Sequence, residues 1–250
     1  MILALDCGNS RIKLGLHHSS GWVSQQSVAL DDAAALDAAV GPLLDKAGDS
    51  PRVVACNVAG PAVQARVQDL LARHGLTVRW LLPSRAEGGV TNRYEQPERL
   101  GADRWAALVG ARGLHAGAAV VACAGTALTI DTLTAGGDFT GGVILPGIAL
   151  MKRSLAGGTA QLPLAQGGYA VAARNTADAI ESGVLDAACG ALARHLARVP
   201  GARLLLTGGD AAAIAAAWEA GAQLGGQGAG GTAPQVVDNL VLEGLVRVAG

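Results

Sequence analysis

Three short segments combine acid, amide, hydroxyl and glycine in ways that suit a nucleotide. The first is Asp6-Cys7-Gly8-Asn9-Ser10-Arg11-Ile12-Lys13. Asp6 closes an apolar run, where a carboxylate is costly unless it is paired or used. The small-residue turn beside it lets backbone N–H groups approach an anion. Asn9 and Ser10 add neutral donors. Lys13 alternates with the apolar residues of the next run and could point at a phosphate. An acid beside such a hairpin suits phosphate oxygens on the turn, with Mg²⁺ held through water on the carboxylate. A solvated Asp in an ordinary β-turn has the same four-residue signature. The second segment is Gly125-Thr126-Ala127-Leu128-Thr129-Ile130-Asp131, another tight hairpin between apolar runs. The third, Thr207-Gly208-Gly209-Asp210, turns a strand end into a helix and places helix N–H groups where an anion could sit. A plain strand-to-helix turn would also read this way.

The elements that must position these groups follow from pattern. Ile2–Leu5, Arg11–Leu16 and Trp22–Val28 read as a three-stranded meander, with turns at Gly8–Ser10 and His17–Gly21. A helix is expected over 31–47, N-capped by Asp31 or Asp32. Arg52–Asn57 reads as a buried strand, Pro61–His74 as a helix stopped by Gly75, and Thr77–Leu82 as a strand. Residues 83–100 are polar and irregular. Asp103 then sits near the start of an Ala-rich helix ending at about Leu114, where the macrodipole favours an anion. Ala118–Ala122 and Leu128–Leu133 flank Cys123–Ala127 as strand, turn, strand. Gly141–Gly147 ends a strand and opens a helix. Helices are expected over Thr176–Val199, after Asp210 and over Asp238–Val248, with Gly221–Thr232 a glycine-rich loop. Strand–helix alternation indicates an α/β layered fold. The two glycine hairpins lie 117 positions apart and suggest a weak internal duplication. The boundary falls near 115: one lobe over 1–115, the other over 116–250, the closing helix free to pack back on the first.

Composition narrows the class. Half of the 250 residues are hydrophobic and 16% are charged, the opposite of a disordered chain. A net charge of −1 gives no basic excess for nucleic acid, and 3% aromatics leave little for base stacking. The 36 glycines are about twice ordinary usage. Cys7, Cys56, Cys123 and Cys189 have no CxxC spacing, so reduced thiols in a cytoplasmic protein are expected. His17-His18 lies in a turn without a third ligand. Trp105 reads as core, and His74, His115 and His195 as helix ends or polar faces. The N-terminus has no signal-peptide pattern, and the longest uncharged stretches fall short of a membrane span.

The three segments, in this order, resemble the acetate kinase, sugar kinase, Hsp70 and actin superfamily. That resemblance implies two similar lobes of the actin-like (ribonuclease H-like) ATPase fold around a central nucleotide cleft. Tyr94-Glu95-Gln96-Pro97-Glu98-Arg99-Leu100-Gly101-Ala102-Asp103-Arg104 is similar to the YxxPxxLGxDR segment of type III pantothenate kinases, and Gly141–Gly147 to their GGxIxPG turn. Thr159–Pro163, Asn175-Thr176, Gly183 and Asp238–Leu245 follow in matching order. The resemblance implies ATP-dependent phosphorylation of pantothenate. Asp6, Gly8, Asn9, Ser10, Arg11 and Lys13 would bind ATP phosphates, Asp6 would hold Mg²⁺ through water, and Gly125 and Thr126 would contact ATP. Tyr94, Gly101, Ala102, Asp103, Arg104 and Thr176 would bind pantothenate, and Asp103 would accept the proton of its primary hydroxyl. It also implies a homodimer that uses a monovalent cation, K⁺ or NH₄⁺.

Two departures stand out. Many members carry Asp where this chain has Cys123, two residues before the second hairpin glycine, and a neutral thiol is a poor ligand for a hard cation. Either carbonyls and hydroxyls supply that site or the dependence is altered. Ser10 replaces the commoner Thr and keeps the hydroxyl. Two other readings remain: a same-fold kinase for another small hydroxyl substrate, and a nucleotide-binding regulatory or assembly protein with little turnover.

Overall fold

The computed structural model describes residues 1–48, 50–164, 166–222 and 233–250. They form two compact units, Met1–Leu114 with Asn239–Gly250, and His115–Asp238. In the first, β1 (Ile2–Cys7), β2 (Arg11–His18) and β3 (Gly21–Ala29) form an antiparallel meander. Strand alternation sends Leu3, Leu5, Cys7, Ile12, Leu14 and Leu16 into one core. Helix α1 (Ala33–Ala47) starts at Asp32, whose carboxylate accepts the Ala35 N–H at 2.8 Å. Strand β4 (Arg52–Asn57) runs parallel to β1. Helix α2 (Pro61–Arg73) has Pro at its first position, where the missing N–H costs nothing. Strand β5 (Val78–Trp80) completes the order β3-β2-β1-β4-β5. A short hairpin, β6 (Ala86–Glu87) and β7 (Val90–Asn92), and a 3-10 turn at Pro97–Arg99 lead to α3 (Ala102–Leu114).

The second unit repeats the plan. Strands β8 (Ala119–Ala124), β9 (Ala127–Leu133) and β10 (Asp138–Pro146) form a meander. After α4 (Ile148–Gly158) and α5 (Thr176–Ala197), β11 (Arg203–Thr207) pairs parallel to β8. Helix α6 (Ala211–Ala222) and β12 (Gln235–Val236) follow, giving β10-β9-β8-β11-β12. Val120, Ala122, Leu204 and Leu206 pack with Leu185, Leu192, Ile214 and Trp218 of the helices. Both units thus place the first strand of a meander beside a parallel fourth strand.

Helix α7 (Leu240–Ala249) belongs to the first unit. It meets α3 at two glycines. A Cβ on Gly244 would overlap the Ala106 carbonyl, and one on Gly110 the Leu240 carbonyl. Backbone contact at that distance leaves room only for hydrogen, which offsets the roughly 1 kcal/mol that glycine costs inside a helix. Glu243 accepts the Trp22 indole N–H at 2.6 Å, and Asn239 Nδ2 donates to Gln25 at 2.7 Å, tying α7 to β3. Arg52 and Arg79 donate to the carbonyls of Ala249 and Val248, which would otherwise end the helix unpaired. The helix that carries Asp103 is held in place by this clamp.

Several local expectations need correction. His17 and His18 end β2, because pairing continues to His18 opposite Gly21, and the turn is Ser19-Ser20. Residues 83–100 contain the β6–β7 hairpin. Cys123 and Ala124 belong to β8, so the second turn is only Gly125-Thr126. His195 is buried on α5, with its pKa lowered first by burial and then by Arg198 and Arg194. Strand β12 was not expected. Gly221 lies in α6, and 223–232 of the anticipated glycine-rich loop lie outside the described residues. Trp105 is fully buried, as the pattern indicated. Cys7 and Cys56 are buried, and all four cysteines are free thiols. Among the described residues no helix is long and apolar enough to cross a membrane.

Candidate functional site

In the first unit Asp6 stands in β1 directly opposite Lys13 of β2 and Cys56 of β4. The Gly8 N–H closes the hairpin on the Arg11 carbonyl at 3.1 Å, and the Ser10 carbonyl accepts from Leu30 N at 3.1 Å. Gly8 is half-buried, while Asn9 and Ser10 are exposed at the tip. The Arg11 guanidinium is directed to β3, donating to Ser27 Oγ at 2.6 Å and to the Ser27 carbonyl at 2.8 Å. It stiffens the hairpin base. Burial pushes the Asp6 carboxyl up to about 6, and the like charge of Asp103 pushes the same way. Lys13 and a hydrogen bond from the Cys56 thiol act against them. A divalent cation beside Asp6 would favour its ionised form.

Asp103 lies in the first turn of α3, half-buried, with Oδ1 accepting the Arg104 N–H at 2.8 Å. Asp103 and Asp6 belong to the same unit. Ala102 and Arg104 are buried, and the Arg104 guanidinium lies 5.8 Å from the centre of the Tyr94 ring, a cation–π distance. Asn92 organises this loop. It is 3% exposed, its Oδ1 accepts the Tyr94 N–H at 3.0 Å, and its Nδ2 donates to the Pro97 carbonyl at 3.3 Å. The sequence reading passed over Asn92, although Asn accepting from the N–H two residues on is a known turn signal. It also passed over Cys56, whose relation to Asp6 depends on strand pairing.

In the second unit the glycine segments converge on one hairpin. The Gly125 N–H donates to the Ala127 carbonyl at 3.0 Å. The Thr126 carbonyl accepts from Gly147 N at 3.0 Å and the Ala124 carbonyl from Asp210 N at 3.2 Å. A Cβ on Gly147 would overlap the Gly125 carbonyl, and one on Gly208 the Ala124 carbonyl. Gly208 also has φ of 103°, a region that side chains disfavour. The N-terminus of α4 is thereby packed against the Gly125-Thr126 turn and that of α6 against Ala124 just before it, an arrangement suited to an anion. Asp210 has its pKa raised, first by burial. Thr176 is the first residue of α5, after the cap Asn175, which accepts the Asp178 N–H at 2.9 Å. With Pro146, Met151, Arg174 and Ile180 it lines a cavity of about 860 Å³.

Comparison with known proteins gives the family. A family model described as type III pantothenate kinase matches residues 2–198. Type III pantothenate kinases of Aromatoleum aromaticum and Dechloromonas aromatica are 45% and 46% identical, over 100% of this chain and 98% and 99% of theirs. Among solved structures, a Campylobacter jejuni protein proposed as a Baf family transcriptional activator has a TM-score of 0.62 at 21% identity, over 98% of this chain and 96% of that one. The ROK hexokinase of Thermus thermophilus has a TM-score of 0.53 at 14% identity, over 99% and 98%. These two share the fold, the two-lobed actin-like architecture. With the Asp6 hairpin and Asp103 in one unit, and a family match across most of the chain, the protein is a member of the type III pantothenate kinase family.

Proposed function

We propose that the chain transfers the γ-phosphoryl group of ATP to the primary hydroxyl of pantothenate, giving 4′-phosphopantothenate, with Asp103 as the proton acceptor. The observation that carries this reading is the presence in one unit of Asp103, in the first turn of α3, and of Asp6 beside the Gly8 hairpin. Phosphoryl transfer needs positioned groups and charge neutralisation more than covalent chemistry. Gly8, Asn9, Ser10 and Lys13 would bind phosphate oxygens, as would Gly125 and Thr126 of the second unit, and Arg11 would support the first hairpin. Asp6 suits Mg²⁺, which usually takes one or two carboxylates besides phosphate and water and, when bound, neutralises developing charge.

Asp103 orients the acceptor hydroxyl and takes its proton as the new P–O bond forms. A carboxylate is a weak base toward an alcohol, but the alcohol acidifies as bond formation proceeds. Tyr94, Gly101, Ala102, Arg104 and Thr176 would bind pantothenate, whose carboxylate and amide chain call for donors of these kinds.

The monovalent-cation site that the resemblance implies does not fit position 123. Cys123 is flanked in register by Thr129 and Thr207, so the row offers a thiol and two hydroxyls, with no carboxylate. Thr129 Oγ1 is buried without a hydrogen-bond partner. A homodimer in the cytoplasm completes the reading, supported by family membership.

The test is a coupled assay with ATP, Mg²⁺, K⁺ and pantothenate. Pantothenate-dependent ADP release supports the reading. ATP binding without it overturns the reading in favour of a regulatory role, and release with another hydroxyl compound overturns the substrate.

A further inference from the structure

Asp6 has a second neighbour besides Lys13. In the parallel β1–β4 register Asp6 and Cys56 are direct partners, so their side chains share one face of the sheet. The Cys56 sulfur lies 3.5 Å from Asp6 Oδ1, within reach for an S–H donor. The thiol is fully buried. Its backbone is fixed on both sides. Register holds it within β4, and immediately beyond, Val58 N donates to the Cys7 carbonyl at 3.0 Å. Asn57 locks the following turn, accepting from Ala59 N and donating to the Gly60 carbonyl, each at 2.9 Å. The donor is therefore built into the sheet.

We propose that Cys56 is a positioning residue for metal-nucleotide binding: its thiol donates to Asp6 Oδ1, fixes the carboxylate rotamer and leaves Oδ2 outside that bond. The inference rests on the reading of Asp6 as the Mg²⁺-holding group. A carboxylate on a short side chain otherwise samples more than one rotamer, and ordering it on binding reduces affinity. The preorganised carboxylate avoids that loss.

The experiment is calorimetric titration of the full chain with ADP, with Mg²⁺ and with EDTA, for wild type, Cys56→Ser, Cys56→Ala and Cys56→Val. Steady-state constants for ATP and pantothenate are measured in parallel. Mg²⁺ is expected to tighten ADP binding in wild type. Ala and Val should weaken the Mg²⁺-dependent affinity about 5- to 20-fold, as expected for losing a weak donor to a charged group. They should raise KM for ATP and leave KM for pantothenate unchanged. Ser retains a donor and should stay within about 3-fold of wild type. Val fills the site, so the Ser–Val comparison stands even where Ala fails to fold. Wild-type Mg²⁺ dependence in Ala or Val overturns the positioning role, as does an equal loss in Ser and Val. Asp6→Asn separates the two levels. If it retains the Mg²⁺ gain, the assignment of Asp6 fails and this inference with it. If it loses the gain while Cys56→Val keeps it, only the role of Cys56 fails.

Discussion

Asp6 and Cys123 occupy the same position in two copies of one topology. Each lies two residues before the glycine of its hairpin, on the first strand of a meander, with a parallel neighbour on the other side. The rows built on them differ in charge. Lys13 and Cys56 flank Asp6, whereas Thr129 and Thr207 flank Cys123. The chain thus keeps a carboxylate in one copy and a neutral, hydroxyl-lined row in the other.

The contrast bears on cations. With no carboxylate at 123, wild-type turnover should change less than about 2-fold when K⁺ or NH₄⁺ replaces Na⁺ at constant ionic strength, since thiols suit hard cations poorly. Cys123→Asp should introduce a clear preference. Initial rates in the three salts decide it, and a strong K⁺ requirement in wild type would show that other oxygens supply the site.

Asp103→Asn should lower kcat by roughly 10²–10⁴-fold, the range usual for a lost general base. ADP affinity and melting temperature should hold, because Asn retains the oxygen that accepts the Arg104 N–H. A loss of only a few-fold would remove the base assignment.

Gly101→Ala tests how that base is placed. The added Cβ would lie 2.6 Å from Asp103 Oδ1. The carboxylate must turn away, so kcat should fall at least about 10-fold with little change in melting temperature. Unchanged kcat would mean that the carboxylate orientation seen here is not the working one.

Asp6 links activity to stability. Its folded pKa is about 6 against the ordinary 3.8, so between those values the folded state holds more proton than the unfolded one. Its contribution is fully present below about pH 4 and is lost as pH rises through about 6. The loss above that pH is at most about 3 kcal/mol, an upper bound for a partly exposed group. Asp6→Asn should therefore hold or raise the melting temperature at pH 7.5 while weakening Mg·ATP binding. A lower melting temperature at pH 7.5 than at pH 5, relative to wild type, would reverse the sign.

Much of this was readable from the chain. The Gly8 hairpin, the strand Arg52–Asn57, the Asp32 cap and the position of Asp103 in a first helical turn rest on local rules of turns, caps and alternation. The relations across strands were not readable. Cys56 lies 50 residues from Asp6 and becomes its neighbour only through β1–β4 register. Arg11 reads as a phosphate contact, yet its guanidinium is directed to Ser27, which depends on the β2–β3 pairing. Gly244 carries no turn signal. Its reason, contact with Ala106, exists only when α7 meets α3.

The α3–α7 clamp also sets an order of events during translation. The helix bearing Asp103 emerges early, but the segment that grips it, Leu240–Ala249, is synthesised only after the whole of His115–Asp238. A growing chain can finish its second lobe while the first still exposes the apolar flank of α3. The nascent first lobe is therefore exposed to misassociation until Leu240–Ala249 has been made and can dock on α3.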